Sequence, residues 1–420
     1  MMPIVVQDGV PAECHSARRR SKPRLERGKP TARDKKKHLQ QRFELLIVIA
    51  LATIYLVWFA WPLIWSVSEN ARLVGAFNTD EEAHVMLLKE AIDNRIPRLG
   101  YIPYGYAYLN MGLLPLLLLS FFTDVTEQQI IVWLRMIPTL FASATVALTF
   151  VLARRVFGRL AAWLSAFLLS FGVLSFLRMS SMSHSDVPQL FFLVLGIYFC
   201  CRSAVELRPS WLVWASAAAG LAFGCKYSGL FLLPIIGFTG ALVTLQLELT
   251  QRAVGSAQVV NAFRLLAVAV GVALLIAALV AVPYASAAYV GEEYYGVSIP
   301  EFLGTLRLMF IVLGAGIVLL AAVPSVWAPV RQRPKLVYLM KQGMLWAVTF
   351  SAAFVVTSPF NVFSIRSGFV RGFLYESLHS SFGHGFAAEN DRLIWLRILS
   401  SPELLDRFIL GLAVVGLALT

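Results

Sequence analysis

Carboxylates, histidines and a lysine lie next to long apolar runs at three short places in the sequence. These residues are Asp80, Glu81 and His84, then His184 and Asp186, then Lys226. A carboxylate can take a proton from a hydroxyl group, and a cation can stabilise a departing phosphate. Acids from two segments and a lysine from a third therefore suit the transfer of a group from a lipid phosphate to a hydroxyl acceptor.

Each of the three places also has a structural explanation. Acids interact favourably with the N-terminal end of a helix, which suits Asp80 and Glu81. Asp186 fits the start of the helix that follows it. Lys226 lies between two apolar runs, where a lysine can extend its charged head to the membrane surface, although ionisable residues in such segments are more often functional. The residue types alone leave the structural and the chemical explanations open.

A further group of polar residues comes late in the chain. Glu376, His379 and His384 lie in a long segment at 358–404. The two histidines are five residues apart, which is a poor spacing for two ligands on one helix face, so we do not expect them to bind a metal as a pair. The sequence has no phosphate-binding glycine loop, no His-Glu-x-x-His zinc motif and no nucleophile elbow. It therefore lacks the signatures of the common soluble enzyme classes.

The amino-acid composition indicates which kind of secondary structure must hold these residues in place. Of 420 residues, 58% are apolar and only 14% are charged, and the mean hydropathy is +0.71. Ordinary soluble domains are about half apolar and about one quarter charged, because their surfaces need polar cover. A soluble enzyme, a disordered chain and a disulfide scaffold are therefore excluded. We predict an all-α polytopic transmembrane protein.

About ten apolar runs approach the length of roughly 20 residues that a helix needs to cross a membrane. They lie at 44–65, 131–153, 160–177, 187–203, 211–225, 228–246, 264–283, 306–323, 344–357 and 407–420. One more run, at 106–122, contains Pro115 and has three tyrosines nearby, which favours an interfacial or re-entrant helix. The last run is short, so we expect a truncated chain or one that ends inside the membrane.

Charge sets the expected orientation. Residues 1–43 carry twelve Lys/Arg and four acids, and so contribute +8 to the net charge of +12. We predict a disordered cytoplasmic tail rather than a nucleic-acid-binding arm, because basic residues beside a first span mark the inside. If the run 106–122 does not cross the membrane, the later basic loops also lie on the cytoplasmic side. The loops 67–130 and 358–404 then lie on the outer side. Residues 44–420 then form one module in the plasma (inner) membrane, with its site on the outer face.

Six short motifs follow one another within about residues 45–245. They are Asn78-Thr79-Asp80-Glu81-Glu82-Ala83-His84, Tyr104-Gly105-Tyr106, Arg135, Arg154-Arg155-Val156-Phe157-Gly158, Ser181-Met182-Ser183-His184-Ser185-Asp186 and Gly220-Leu221-Ala222-Phe223-Gly224-Cys225-Lys226-Tyr227-Ser228-Gly229. In this order and spacing they resemble the GT-C superfamily of polytopic glycosyltransferases. Within it, the chain is most similar to glycosyltransferase family 39, which contains protein O-mannosyltransferases and aminoarabinose transferases.

The resemblance implies a polyprenyl-phosphate sugar donor, a hydroxyl acceptor on protein, lipid or glycan, transfer on the outer side, and inversion at the anomeric carbon. It also implies that Asp80 is the base or the carboxylate that positions the acceptor, that Asp186 corresponds to the second-loop acid, and that Lys226 is a basic residue near the donor phosphate. We add Glu81 to the predicted catalytic residues, with Asp80 as the base. The substrate-binding candidates are Lys226, Arg178, His84, His184, Tyr104 and His384. Some relatives use a divalent metal such as Mg or Mn and others do not. If this chain uses one, the expected ligands are Asp80, Asp186 and His184.

Two other classes compete with this interpretation. A secondary transporter places ionisable groups on broken helices within repeated halves, whereas these acids lie in loops and no repeat is visible in the sequence. A non-catalytic subunit of an envelope polysaccharide machine is separated from an enzyme only by its activity. We predict an integral-membrane glycosyltransferase surrounded by membrane lipids, without a nucleic-acid partner.

Overall fold

The structure, a computed structural model, describes residues 32–69, 80–97, 99, 105–247, 256–283, 293–294, 297–360 and 372. The chain divides into two units, Met1–Glu44 and Leu45–Thr420. In the first unit, the described residues 32–44 are helical. The site described below belongs entirely to the second unit.

Thirteen α-helices make up most of the described residues. They are α1 (Ala32–Glu69), α2 (Asp80–Asp93), α3 (Ala107–Leu119), α4 (Glu127–Val156), α5 (Arg159–Phe167), α6 (Leu174–Ser180), α7 (Asp186–Glu206), α8 (Ser210–Cys225), α9 (Leu232–Gln246), α10 (Ser256–Ile276), α11 (Ile299–Ala322), α12 (Pro324–Arg331) and α13 (Pro334–Thr357). Two short strands, β1 (Glu293–Tyr294) and β2 (Val297–Ser298), pair in antiparallel fashion. The predicted all-α class is confirmed.

Six helical segments among the described residues are long and apolar enough to cross a membrane. They are Glu127–Val156, Asp186–Glu206, Tyr227–Gln246, Ala257–Val280, Leu303–Ala322 and Pro334–Thr357. Three shorter apolar helices are Ala107–Leu119, Arg159–Gly172 and Ser210–Cys225. The polytopic membrane architecture is thereby confirmed, with fewer full-length spans in the described residues than the ten predicted. The predicted run 44–65 lies within α1, and the run 407–420 lies outside the described residues.

The run predicted as one helix at 160–177 is broken in the structure. After α5, a π-helical turn covers Leu168–Gly172, and the Val173 N–H bonds back to the Leu168 carbonyl at 3.1 Å. Val173 then leaves helical geometry, with φ −97° and ψ 88°. The separate helix α6 that follows ends at Ser180 and leads directly into the serine-rich loop 181–185.

The long helix α4 connects the two ends of the helical bundle. It starts with a capping box in which the Thr126 hydroxyl accepts a hydrogen bond from the Gln129 N–H, and the Gln129 side chain accepts one from the Thr126 N–H. Arg154 and Arg155 lie in its last turn, where cations suit the helix dipole. Its 30 residues correspond to a length of about 45 Å.

Helices α2 and α3 pack against the first turns of α4. Leu88 of α2, Leu113 of α3 and Ile130 of α4 have no exposed surface and belong to one apolar cluster. Tyr108, near the start of α3, contacts Leu134 in the first third of α4. Because α3 has only 13 residues, it is shorter than a span of roughly 20 residues, in line with the expectation for 106–122.

The polar and the basic residues lie at opposite ends of the long helices. At one end Lys226, which follows α8, contacts Asp186, the first residue of α7. At the other end Glu206, the last residue of α7, accepts hydrogen bonds from Arg155 of α4 and from Arg202. The orientation predicted from charge, with the basic end inside, then puts the polar end outside.

Candidate active site

Four side chains form a row at the polar end of the bundle. Lys226 Nζ donates a hydrogen bond to Asp186 Oδ1 at 3.1 Å. His184 Nδ1 lies 3.2 Å from Asp186 Oδ2, and His184 Nε2 lies 3.7 Å from Asp80 Oδ2. The exposed fractions of these side chains are 36% for Asp80, 12% for His184, 37% for Asp186 and 19% for Lys226. The structure thus brings together the three places singled out in the sequence, with both carboxylates partly exposed.

Two helix ends hold Asp186 and Lys226 in position. α7 begins at Asp186, whereas α8 ends at Cys225, and Lys226 has an extended backbone with φ −153° and ψ 139°. One turn into α7, the buried Gln189 amide donates hydrogen bonds to the Lys226 carbonyl at 3.1 Å and to Ser228 Oγ at 2.8 Å. This amide ties the backbone break after α8 to the first turn of α7.

A buried ion pair supports the row from inside. Arg135 donates from Nε to Glu81 Oε1 at 2.9 Å and from Nη2 to Glu81 Oε2 at 2.6 Å. The exposed fractions are 1% for Arg135 and 0% for Glu81. The Ser183 N–H also donates to Glu81 Oε1, at 2.9 Å. Bidentate pairing fixes orientation, and because Asp80 adjoins Glu81 and His184 adjoins Ser183, it constrains both sides of the row.

A second buried network lies beside the ion pair. Pro138 in α4 has no N–H, so the Leu134 carbonyl lacks the partner that an α-helix would normally supply. The Tyr108 hydroxyl lies 2.9 Å from that carbonyl oxygen and 2.9 Å from Ser183 Oγ. His84 Nδ1 lies 3.1 Å from the same Ser183 Oγ. The Ser183 hydroxyl therefore links α2 to α3, and the Tyr108 hydroxyl links α3 to α4.

His84 is expected to make the stability of the fold depend on pH. Burial lowers its pKa from 6.5 to about 4, although the nearby Asp80 carboxylate raises it. Between these two values the unfolded chain binds a proton that the folded chain does not, so stability falls as the pH drops from 6.5 to 4. At about 1.4 kcal/mol per pKa unit the loss approaches about 3 kcal/mol.

The comparison that checks this uses the wild type and a His84→Gln variant. Denaturant unfolding in detergent at pH 7 and at pH 4.5 should give a smaller loss of stability on acidification for the variant, because glutamine does not titrate. All other titrating groups are common to the two proteins. Equal losses in both would show that His84 does not carry this pH dependence.

The backbones of Gly105 and Gly224 lie in close contact. A Cβ atom on Gly105 would lie 1.9 Å from the Gly224 carbonyl oxygen, which also accepts a hydrogen bond from the Ser358 hydroxyl at 3.3 Å. We expect Gly105→Ala to lower the free energy of unfolding by at least about 1–3 kcal/mol, because the backbone must shift to admit the methyl group. In Gly237→Ala, the matched control in α9, the new atom meets nothing within 4 Å. Thermal unfolding of both variants in detergent checks this, and equal stabilities would contradict it.

The other predicted site residues are not part of the row in the structure. Four of them lie outside the described residues: Tyr104, Glu376, His379 and His384. Arg178 is exposed in the last turn of α6. Glu81 and His84 face the interior, with 0% and 5% of their surfaces exposed, so in this structure their side chains contact the protein rather than the solvent.

The three predicted metal ligands do not surround one point. Asp80 and Asp186 approach His184 from its two different ring nitrogens, Nε2 and Nδ1. Within the described part of the chain, no group of three or more His, Cys, Asp or Glu side chains is arranged to hold a metal ion. In this arrangement the three side chains do not fit a shared metal.

Several supporting residues were not assigned from the sequence. The residue types of Arg135 and Gln189 indicate a buried contact, because a charged or amide side chain within an apolar run needs a partner. Arg135 entered the sequence analysis only as part of a motif. The residue types of Tyr108 and Ser183 do not indicate such a contact, since tyrosine and serine are common near membrane surfaces. Only their contacts reveal the network.

Comparison with known proteins adds one finding. The family model of dolichyl-phosphate-mannose-protein mannosyltransferases matches residues 111–251. This segment runs from α3 past the end of α9 and includes Asp186 and Lys226, whereas Asp80 precedes it. Searches of the curated proteins and of the solved structures gave no match. The family match confirms the resemblance to the GT-C superfamily and supports a membrane glycosyltransferase of the GT-C type.

Proposed function

We propose that this protein transfers a sugar from a polyprenyl-phosphate donor to a hydroxyl acceptor, with inversion at the anomeric carbon. The observation that carries the proposal is the row of side chains, which has an open carboxylate, Asp80, at one end and a cation, Lys226, at the other. The reaction needs a base for the attacking oxygen and positive charge for the leaving phosphate. The similarity to dolichyl-phosphate-mannose-protein mannosyltransferases supports this donor class.

Asp80 acts on the acceptor in this proposal. Its carboxylate, 36% exposed, takes the proton from the acceptor hydroxyl as that oxygen attacks the sugar carbon. His184 lies between Asp80 and Asp186 and presents one ring nitrogen to each carboxylate. A base held in this way is already placed when the acceptor arrives, which lowers the entropic cost of the reaction.

Lys226 acts on the donor. As the bond between sugar and phosphate breaks, negative charge grows on the phosphate, and the Lys226 ammonium stabilises it. An ammonium group has three N–H donors, so Asp186, at 3.1 Å, orients Lys226 without preventing contact with a phosphate. Arg178, exposed at the end of α6, is the second cation that we assign to the phosphate.

The remaining predicted residues divide into two groups. Glu81 and His84 are buried, so we assign them to support of the row rather than to contact with substrate. Tyr104 and His384 stay predicted substrate contacts. A divalent metal at Asp80, His184 and Asp186 would require these side chains to rearrange, and the proposed roles of Asp80 and Lys226 do not need one.

We place the site on the outer face of the plasma membrane, with the N-terminus in the cytoplasm. The support for this orientation is the gathering of basic side chains at the opposite end of the helices, since Lys and Arg mark the cytoplasmic side. The lipid part of the donor then stays in the membrane, while its phosphate and sugar reach the row at the surface.

The test is an assay of the purified full-length protein with a panel of polyprenyl-phosphate sugars, a panel of nucleotide sugars and a set of hydroxyl acceptors. We expect release of polyprenyl phosphate from at least one lipid donor and no turnover of nucleotide sugars. A parallel series with EDTA decides the metal requirement. Turnover of nucleotide sugars alone, or of no donor with any acceptor, would contradict the proposed function.

A further inference from the structure

We infer that Ser183 is a positioning residue, which sets the location of Asp80 relative to the rest of the row through its buried hydroxyl. This inference rests on the proposed function. Its basis is that Ser183 contacts three groups from α2 and α3. Its backbone N–H donates to the Glu81 carboxylate, and its hydroxyl contacts His84 and Tyr108, while Tyr108 in turn contacts the Leu134 carbonyl of α4.

The groups in this network determine which of them donate hydrogen bonds and which accept them. A carbonyl oxygen only accepts hydrogen bonds, and the Leu134 carbonyl has lost its helical partner to Pro138. The Tyr108 proton therefore goes to Leu134, at 2.9 Å. The Ser183 proton is then free to go to the Tyr108 oxygen or to His84 Nδ1, at 2.9 Å and 3.1 Å. Both arrangements leave the Ser183 N–H on Glu81.

Burial makes this network rigid. Ser183 has no exposed surface, Tyr108 has 1% exposed and His84 has 5%. A buried polar group that loses its partner has no water to replace it, so each bond is costly to break. The network is thus expected to hold α2, which begins with Asp80, at one fixed distance from the loop that carries His184.

Lys226 is outside this network, because its backbone is held by Gln189 instead. Loosening Ser183 should therefore displace Asp80 while leaving the cation for the donor phosphate in place. A small misplacement of a catalytic group can cost about tenfold to a hundredfold in rate. The expected signature is a lower rate per donor-binding site with unchanged binding of the donor.

The experiment uses Ser183→Ala in the full-length protein, with Ser203→Ala as the matched control. Ser203, in α7, is equally without exposed surface, and its hydroxyl donates a hydrogen bond to the Arg208 carbonyl at 3.0 Å at the opposite end of the bundle. Tyr108→Phe removes the same network from the α3 side. Donor-binding stoichiometry and Kd are measured first with a lipid donor that the wild type uses, and kcat is then expressed per binding site.

We expect kcat per site to fall about tenfold in both Ser183→Ala and Tyr108→Phe, with the Kd for the donor unchanged. The double variant should lose little more than either single variant, because the two hydroxyls act in one network. Ser183→Thr, which keeps the hydroxyl, should recover much of the rate. Wild-type kcat per site in Ser183→Ala, or a loss equal to that in Ser203→Ala, would overturn the inference. Absence of transfer by the wild type itself would overturn the proposed function and this inference with it.

Discussion

Replacing Asp80 with asparagine is expected to lower the rate of sugar transfer about a hundredfold or more, because a general base typically contributes that much. Asparagine has the same shape but cannot take the proton from the acceptor. The side chain is 36% exposed, so we expect little change in stability. The measurement is the initial rate of polyprenyl phosphate release at saturating donor and acceptor.

Asp93→Asn provides the matched control for this experiment. Asp93 lies on the same helix, α2, with 55% of its side chain exposed, and pairs with Lys89 at 2.6 Å. It is at the far end of the helix from Asp80, so the variant should transfer sugar at the wild-type rate. If Asp80→Asn is as active as Asp93→Asn, the assignment of Asp80 as the base is wrong.

Replacing Arg135 with methionine is expected to lower the free energy of unfolding by about 3–5 kcal/mol, because it leaves a buried carboxylate without its counter-charge. Glu81 has no exposed surface, and both its oxygens accept hydrogen bonds from Arg135. Transfer activity should fall as well, since the ion pair holds α2 against α4. Denaturant unfolding in detergent micelles measures the loss of stability.

The exposed pair at the other end of α4 gives the comparison. Arg155 pairs with Glu206 at 2.9 Å, with exposed fractions of 29% and 23%, and such pairs contribute at most about 1 kcal/mol. Arg155→Met should therefore change stability by less than about 1 kcal/mol. Combining Glu81→Met with Arg135→Met should recover part of the loss, because the unpaired buried charge is removed. Similar losses of unfolding free energy in Arg135→Met and Arg155→Met would show that burial does not make the Arg135–Glu81 pair more important to stability.

The sequence predicts the membrane class and the chemistry-bearing residues because both depend on residue type. Apolar runs of the length of α4, α7 and α13 have few structures available to them other than a membrane helix. Asp80, Asp186 and Lys226 are conspicuous for the same reason, since a charge beside an apolar run is costly unless it has a role. The charge pattern predicts only that the site lies on one side of the membrane, whereas the meeting of these residues in one row is seen in the structure.

The supporting network could not be predicted in the same way. The contact between Tyr108 and Ser183 joins residues 75 positions apart, and neither residue type indicates a partner. The inward direction of Glu81 depends on Arg135 reaching it from α4, 54 positions away. The break between α5 and α6 is also absent from the hydropathy pattern, because leucine and phenylalanine continue through the π-helical turn. Packing, rather than local composition, decides each of these features.

The anomeric configuration of the first product shows whether transfer is a single displacement at the sugar carbon, across the row from Asp80 to Lys226. A donor of known anomeric configuration is incubated with the wild-type protein and an acceptor, and the anomeric proton of the new glycosidic bond is assigned by NMR. We expect the configuration opposite to that of the donor, because the acceptor oxygen attacks as the phosphate leaves. Retention of configuration would contradict it, since a single displacement from the face opposite the leaving phosphate inverts the sugar carbon.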